Sequence, residues 1–188
     1  MEPRGSPALL LDRDGVIIEN RADYVRSWGD VKLIASALPA LASLRASDYK
    51  VAIVTNQSAV GRGLLSLTEA EAINRRVVDH IEGAGGRIDG VFMCPHTPED
   101  GCSCRKPKPG LLLQAAEAIN LDLRRSILIG DTIGDLQAGA AAGVGTLALV
   151  RTGLGAEHAL LLAPAGFSNI PVYPDLAAAV EDLLPRLA

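Results

Sequence analysis

Short apolar runs along the chain alternate with stretches in which apolar residues recur at helical spacing. That alternation is the signature of a parallel sheet with crossover helices. The runs fall at residues 8–11, 50–54, 90–93, 126–129 and 146–150, and a sixth at 170–173 contains Pro171, which argues for an edge or irregular strand. Helical spacing predicts helices over 37–44, 68–81, 109–119, 135–142 and 176–187. Ser36 stands where an N-cap belongs, Thr68 with Glu71 three residues on suits a capping box, and Pro109 lies near a helix start. The expected fold class is α/β, a three-layer, Rossmann-like parallel sheet.

The polar residues sit where three of these runs stop. The first run ends in Asp12-Arg13-Asp14-Gly15, the second in Thr55-Asn56-Gln57-Ser58, and the fourth in Gly130-Asp131-Thr132-Ile133-Gly134-Asp135. Right-handed crossovers bring all of these ends to one edge of the sheet, the edge at which open α/β sheets bind ligands. Asp12, Asp14 and Asp131 then offer a hard oxygen site suited to Mg²⁺. One Asp-x-Asp-Gly could be merely a turn; three polar clusters converging from three strands argue for a site. Lys106, between Arg105 and Pro107 and just ahead of a predicted helix start, suits an anion site.

Composition narrows the class. The chain of 188 residues is 48% apolar with few aromatics, enough for one compact domain whose core is built from Ala, Leu, Val and Ile. One domain over 1–188 is expected, with a metal loop at 94–104. A net charge of −4 argues against a nucleic-acid or anionic-membrane partner. Residues 1–7 show no apolar signal core or lipidation motif, and no apolar stretch is long enough to span a bilayer, so a cytoplasmic protein is expected.

The three cysteines cluster in a single segment, as Cys94-Pro95-His96 and Cys102-Ser103-Cys104. A Cys-x-His…Cys-x-Cys pattern in a Pro/Gly/Asp-rich loop reads better as tetrahedral Zn²⁺ than as a disulfide framework. With Cys94, His96, Cys102 and Cys104 filling all four positions, the zinc is expected to be structural and to steady Arg105 and Lys106, which follow directly. His80 and His158 have no partner pattern and read as surface or satisfied histidines.

Asp12-x-Asp14-Gly15-Val16, Thr55-Asn56-Gln57, Lys106 and Gly130-Asp131-x-x-x-Asp135 together resemble the four motifs of the haloacid dehalogenase superfamily of phosphatases. The resemblance implies that Asp12 is the nucleophile and Asp14 the acid and base. Asp12, the backbone carbonyl of Asp14 and Asp131 hold Mg²⁺, and Thr55 and Lys106 bind the phosphate. Asp135 then holds Asp131 or a water rather than the metal. Cys-Pro-His, Cys-x-Cys-Arg-Lys-Pro and Thr-Asn-Gln-Ser are more specific, and resemble the D-glycero-D-manno-heptose 1,7-bisphosphate phosphatases and the related histidinol-phosphate phosphatases. That resemblance implies a monomer without a large cap domain, acting on a small sugar phosphate. Loops 20–25 and 58–64 and the zinc loop would close over the substrate. The substrate-binding candidates are Asn20, Asp23, Thr55, Asn56, Gln57, Ser58, Arg105, Lys106 and Thr132. The sequence departs from the heptose pattern at Thr132, where a lysine is frequent, and at Ala59, where a glycine is usual. Competing readings are a histidinol-phosphate or other sugar-phosphate phosphatase, and a non-catalytic zinc-stabilised interaction domain.

Overall fold

Alternation within the central strands decides which side chains face which layer. In the computed structural model, which describes residues 5–184, β1 (Ala8–Leu11) sends Leu9 and Leu11 to one face of the sheet and Ala8 and Leu10 to the other. Both faces are apolar, as a doubly covered parallel strand requires. The described strands are β1, β2 (Lys50–Asn56), β3 (Gly90–Cys94), β4 (Ile127–Gly130), β5 (Thr146–Val150) and β6 (Val172–Tyr173). They form one parallel sheet in the order β3-β2-β1-β4-β5-β6.

The helices are α1 (Ala37–Ser43), α2 (Ser58–Gly61), α3 (Leu67–Gly83), α4 (Gly110–Ala118), α5 (Ile133–Ala142), α6 (Gly155–His158) and α7 (Leu176–Leu183). Apolar stripes of α1, α3 and α7 join Leu9, Leu11, Ile53, Ile129 and Val150 in the larger core. Leu111, Leu112 and Ala115 of α4 and Ala138 of α5 cover Leu10, Val54 and Leu128 on the opposite face. The three-layer α/β architecture is the expected one. No helix among the described residues is long and apolar enough to cross a membrane.

The boundaries depart from the pattern where local bonding outweighs it. β2 and β3 run on through Asn56 and Cys94, because register pairs Thr55 with Met93 and Asn56 with Cys94. β4 begins after Ser126, whose hydroxyl accepts from the Ala8 amide at 3.0 Å and donates to the Asp122 carbonyl at 2.7 Å. β6 is cut to two residues, since Pro171 has no N–H and contributes only its carbonyl to Leu149. α3 starts one residue before the predicted cap. Ser66, in extended backbone, accepts from the Glu69 amide at 3.2 Å while Glu69 accepts from the Ser66 amide at 2.9 Å. This box replaces the expected Thr68–Glu71 pair, because Thr68 already lies within the first turn. Ser36 occupies the cap position of α1 in helical backbone and makes no side-chain cap bond. Pro109 is the cap of α4, and α5 starts at Ile133 behind a Thr132–Asp135 capping box. Loop 58–64 contains the short α2. Residues 185–187 of the predicted last helix, and residues 1–4 of the N-terminal segment, lie outside the described residues.

Candidate active site and metal centres

β1, β2 and β4 are neighbours in the sheet, so their carboxyl ends bring the three polar clusters together. At the centre stands Lys106, 5% exposed, delivered from the loop after β3. Its Nζ donates to Asp12 Oδ1 at 2.9 Å and to the Val54 carbonyl at 2.7 Å, and lies 2.5 Å from Asp135 Oδ1. Asn56 clamps the lysine's backbone from both sides. Its Nδ2 donates to the Lys106 carbonyl at 3.0 Å and its Oδ1 accepts from the Lys106 amide at 3.2 Å.

Asp131 and Asp135 are both almost fully buried. Asp131 Oδ2 accepts from the Leu154 amide at 2.8 Å, and Asp135 Oδ2 accepts from the Thr132 amide at 3.1 Å and hydroxyl at 2.6 Å. Two glycines with positive φ make room for Asp131: a Cβ on Gly15 or Gly153 would run into its carboxylate. Thr152 ties the two glycine loops together, its hydroxyl donating to the Gly15 carbonyl at 2.6 Å.

Oxygens of Asp12, Asp131 and Asp135 all lie within 4.8 Å of one another. Three carboxylates face one lysine, so ionised they leave net negative charge in a buried place. Burial pushes the Asp12 carboxyl up to about 7 and that of Asp131 up to about 8, with the neighbouring carboxylates raising both and Lys106 opposing. Burial alone would lower Lys106, but the carboxylates of Asp12 and Asp135 reverse that and hold it above its ordinary value. Hard oxygen donors with uncompensated negative charge fit a divalent cation such as Mg²⁺. The Asp14 carboxylate turns away from this cluster. It receives the forked guanidinium of Arg13 and, at 2.8 Å, the Gln57 Nε2, which also donates to Thr55 Oγ1 at 2.9 Å.

A cavity of about 380 Å³ opens above these groups. Asp12, Asp14, Asn20, Asn56, Gln57, Ser58, Arg105, Lys106, Asp131, Thr132 and Asp135 all line it. Thr55 lies beneath it, fully buried. Asp23 faces elsewhere, its carboxylate held by Arg21 and Arg26 on an exposed loop. Arg105 Nη1 donates to Ser58 Oγ at 2.7 Å and to the His96 carbonyl at 3.2 Å, joining the second loop to the cysteine loop. Arg21 and Tyr24, within the loop 20–25 expected to close over the substrate, also line the cavity, as does Leu154, for which the sequence gave no signal. Tyr24 has φ of 65°, a left-handed conformation uncommon for a non-glycine residue and worth noting at a cavity wall. His80 pairs with the Arg76 carbonyl and stacks on Trp28, as a satisfied histidine. His158 Nδ1 accepts from the Ile133 amide at 3.1 Å, at the start of α5 beside the site.

Cys94, His96, Cys102 and Cys104 meet in one cluster with no disulfide among them. A Zn²⁺ tetrahedron with Zn–S of ~2.3 Å and Zn–N of ~2.0 Å has edges of about 3.5–3.8 Å. Five of the six donor–donor separations here run from 3.3 to 3.7 Å. Burial pushes the Cys94 thiol up to about 12. The Cys102 thiol, despite its own desolvation, is drawn down to about 7 by the Arg105 amide and its sulfur neighbours. Four soft donors at these distances fit zinc. The pairs close the base of the loop, and the Pro98–Asp100 turn projects beyond them, with Thr97 and Asp100 joined by side-chain bonds.

Residues 6–143 match the family model of haloacid dehalogenase-like hydrolases. The chain is 39% identical over 176 residues to the D-glycero-beta-D-manno-heptose-1,7-bisphosphate 7-phosphatase of Pseudomonas aeruginosa, covering 94% of this chain and 97% of the relative. It is 39% identical over 177 residues to the protein of the same name from Bordetella bronchiseptica, with 94% and 97% covered. The crystal structure of D,D-heptose 1,7-bisphosphate phosphatase from B. bronchiseptica, complexed with magnesium and phosphate, superposes with a TM-score of 0.88 at 38% identity, over 96% of this chain and 99% of that one.

Proposed function

Because this chain belongs to the haloacid dehalogenase-like hydrolase family, we propose that it is a magnesium-dependent phosphatase that removes the 7-phosphate of D-glycero-D-manno-heptose 1,7-bisphosphate. The observation that carries the reading is the convergence of Asp12, Asp131, Asp135 and Lys106 on the floor of the cavity, with Asp14 on its wall. The names of the relatives supply the substrate.

Asp12 attacks phosphorus. A bond forms from its carboxylate oxygen, and the bond from phosphorus to the sugar oxygen breaks, leaving an aspartyl phosphate. Asp14 gives a proton to the departing sugar oxygen. It then takes one from the water that attacks the aspartyl phosphate, and inorganic phosphate and free Asp12 result. Lys106 fixes the Asp12 side chain and, with the Thr55 hydroxyl, donates to the non-bridging phosphate oxygens as charge builds on them. Asp12, Asp131 and the Asp14 backbone carbonyl would hold Mg²⁺, which would supply the positive charge that keeps Asp12 ionised and offsets its repulsion from the phosphate dianion. Asp135 acts on Lys106 and the Thr132 cap rather than on the metal.

Asn20, Asn56, Gln57, Ser58, Arg105 and Thr132 are the proposed substrate contacts, and Asp23, bonded to Arg21 outside the cavity lining, is proposed to act only by holding that arginine at the cavity. Arg105 and Ser58 are supported by their mutual bond at the cavity wall, and Asn56 acts by holding Lys106. Zinc on the four cysteine and histidine ligands has a structural task, fixing the loop that carries Arg105 and Lys106. The same reading makes this a cytoplasmic monomer of one domain acting on a small sugar phosphate. The net charge of −4 supports the absence of a nucleic-acid or anionic-membrane partner.

The test is phosphate release with Mg²⁺ from the α- and β-heptose 1,7-bisphosphates beside histidinol phosphate and fructose 1,6-bisphosphate. Preference for one heptose anomer is expected. Preference for histidinol phosphate would overturn the substrate and leave the chemistry.

A further inference from the structure

The buried stripe of α3 consists of Ala70, Ile73, Val77 and Ile81, interrupted by Asn74. A buried amide in an apolar stripe is costly unless it is bonded. Asn74 is 5% exposed; its Oδ1 accepts from Arg13 Nη1 at 2.7 Å and its Nδ2 reaches the Met93 sulfur at 3.5 Å. Arg13 is in turn only 1% exposed, and among the described residues its one ion-pair partner is Asp14. Nε donates to Asp14 Oδ2 at 3.0 Å and Nη2 to Asp14 Oδ1 at 3.1 Å.

A guanidinium is planar and rigid, so a group that fixes one end fixes the plane of the whole fork. Asn74 holds the Nη1 end, and the Nε–Nη2 edge holds both oxygens of Asp14. Asn74 does not line the cavity, whereas Asp14 does. A purely structural role for α3 at this position would be met by Leu or Val, like its neighbours on the stripe. The polar residue, the buried cation and the carboxylate at the cavity wall form one chain, and only its last member meets the substrate.

Resting on the phosphatase reading above, we propose that Asn74 is a positioning residue for proton transfer. It sets the plane of Arg13, and through Arg13 the orientation in which the Asp14 carboxyl meets the leaving oxygen. In that step the electron pair of the breaking phosphorus–oxygen bond goes to the sugar oxygen, which takes the Asp14 proton, while the Asp12 oxygen bonds to phosphorus. An alkoxide leaving group needs that proton, and a nitrophenolate does not.

The experiment compares kcat/KM for the alkyl phosphate the protein hydrolyses best with kcat/KM for 4-nitrophenyl phosphate. This parameter covers the steps through departure of the leaving group and excludes hydrolysis of the aspartyl phosphate. Asn74→Leu is expected to lower the alkyl value by about 10- to 100-fold, a part of what general acid catalysis supplies, and to leave the nitrophenyl value nearly unchanged. Asn74→Asp retains an oxygen acceptor for Arg13 Nη1 and is expected to restore the alkyl value. Should Asn74→Leu not fold, Asn74→Ser takes its place under the same criteria. Equal losses on both substrates, or no rescue by Asn74→Asp, would overturn the proposal. Asp14→Asn serves as the reference. If it shows no leaving-group asymmetry in a protein whose wild type turns over, the role given to Asp14 fails, and this proposal with it. A wild type that hydrolyses neither substrate overturns the phosphatase reading itself.

Discussion

Lys106→Met removes the cation at the centre of three buried carboxylates and keeps an unbranched side chain of similar reach. Nζ is lost from Asp12, Asp135 and the Val54 carbonyl together. Breaking a buried ion pair by deleting one partner costs roughly 3–5 kcal/mol. For a domain of this size each kcal/mol moves Tm by about 2–4 °C, so Tm at pH 8 should fall by roughly 6–20 °C. The cost depends on pH in a definite direction. The carboxyls of Asp12 and Asp131 are raised from 3.8 to about 7 and about 8 in the fold. Groups raised in this way stabilise the fold fully only below their ordinary value of 3.8, and that contribution is lost progressively as pH rises from there through 7 to 8. At pH 5 Asp12 and Asp131 are neutral with or without the lysine, so the variant loses the Val54 bond and the Asp135 pair there, and its Tm should fall less than at pH 8. Calorimetry in magnesium-free buffer without chelator measures both melts, with variant and wild type compared within each pH so that any loss of zinc at pH 5 is common to both. An equal fall in Tm at pH 5 and pH 8, or a fall below about 2 °C at pH 8, would refute the reasoning that charge crowding governs this site.

Three further outcomes follow from the same structure. Asp12→Asn should abolish turnover, by on the order of 10⁴-fold or more in kcat, while raising the Tm of the magnesium-free protein at pH 8, since one crowded carboxylate is gone; retained turnover would remove Asp12 from the chemistry. Metal analysis of protein purified without chelator should find one zinc per chain, and Cys102→Ser should lower both zinc content and activity, because Arg105 and Lys106 follow the ligand loop directly; zinc-free protein of full activity would contradict this. Ser66→Ala should cost about 1 kcal/mol through loss of the α3 cap, read as a fall of about 2–4 °C in Tm, whereas Thr68→Ala should change little.

The strand layout was legible because each central run is apolar on both faces and stops at a polar cluster. The cysteine loop was legible because ligand spacing is local. The departures have nameable causes, one local and the rest long-range. Ser66-x-x-Glu69 and Thr68-x-x-Glu71 satisfy the same capping pattern, and only the entry angle of the chain into α3 selects the first. Arg13 reads in sequence as an ordinary polar residue between two aspartates, yet it is among the most buried side chains, because the partner that makes burial affordable, Asn74, lies 61 residues away. His158, read as a surface or satisfied histidine, is satisfied, but its partner, the Ile133 amide at the start of α5, lies 25 residues away. Spacing announces groups that act through neighbours in the chain. Long-range polar pairs leave no periodicity to read.

The cysteine loop has a consequence for how this scaffold can vary. Its four donors gather at the base, where Lys108 also donates to the Gly101 carbonyl at 2.6 Å, while the exposed Pro98–Asp100 turn lies outside them, bonded to Thr97 and weakly paired with Arg62. A hairpin pinched at its root transmits little from tip to stem. Residues 98–100 can therefore change length or accept a grafted segment while Lys106 stays seated on Asp12, which makes this tip a natural point of insertion for a reporter or an affinity handle.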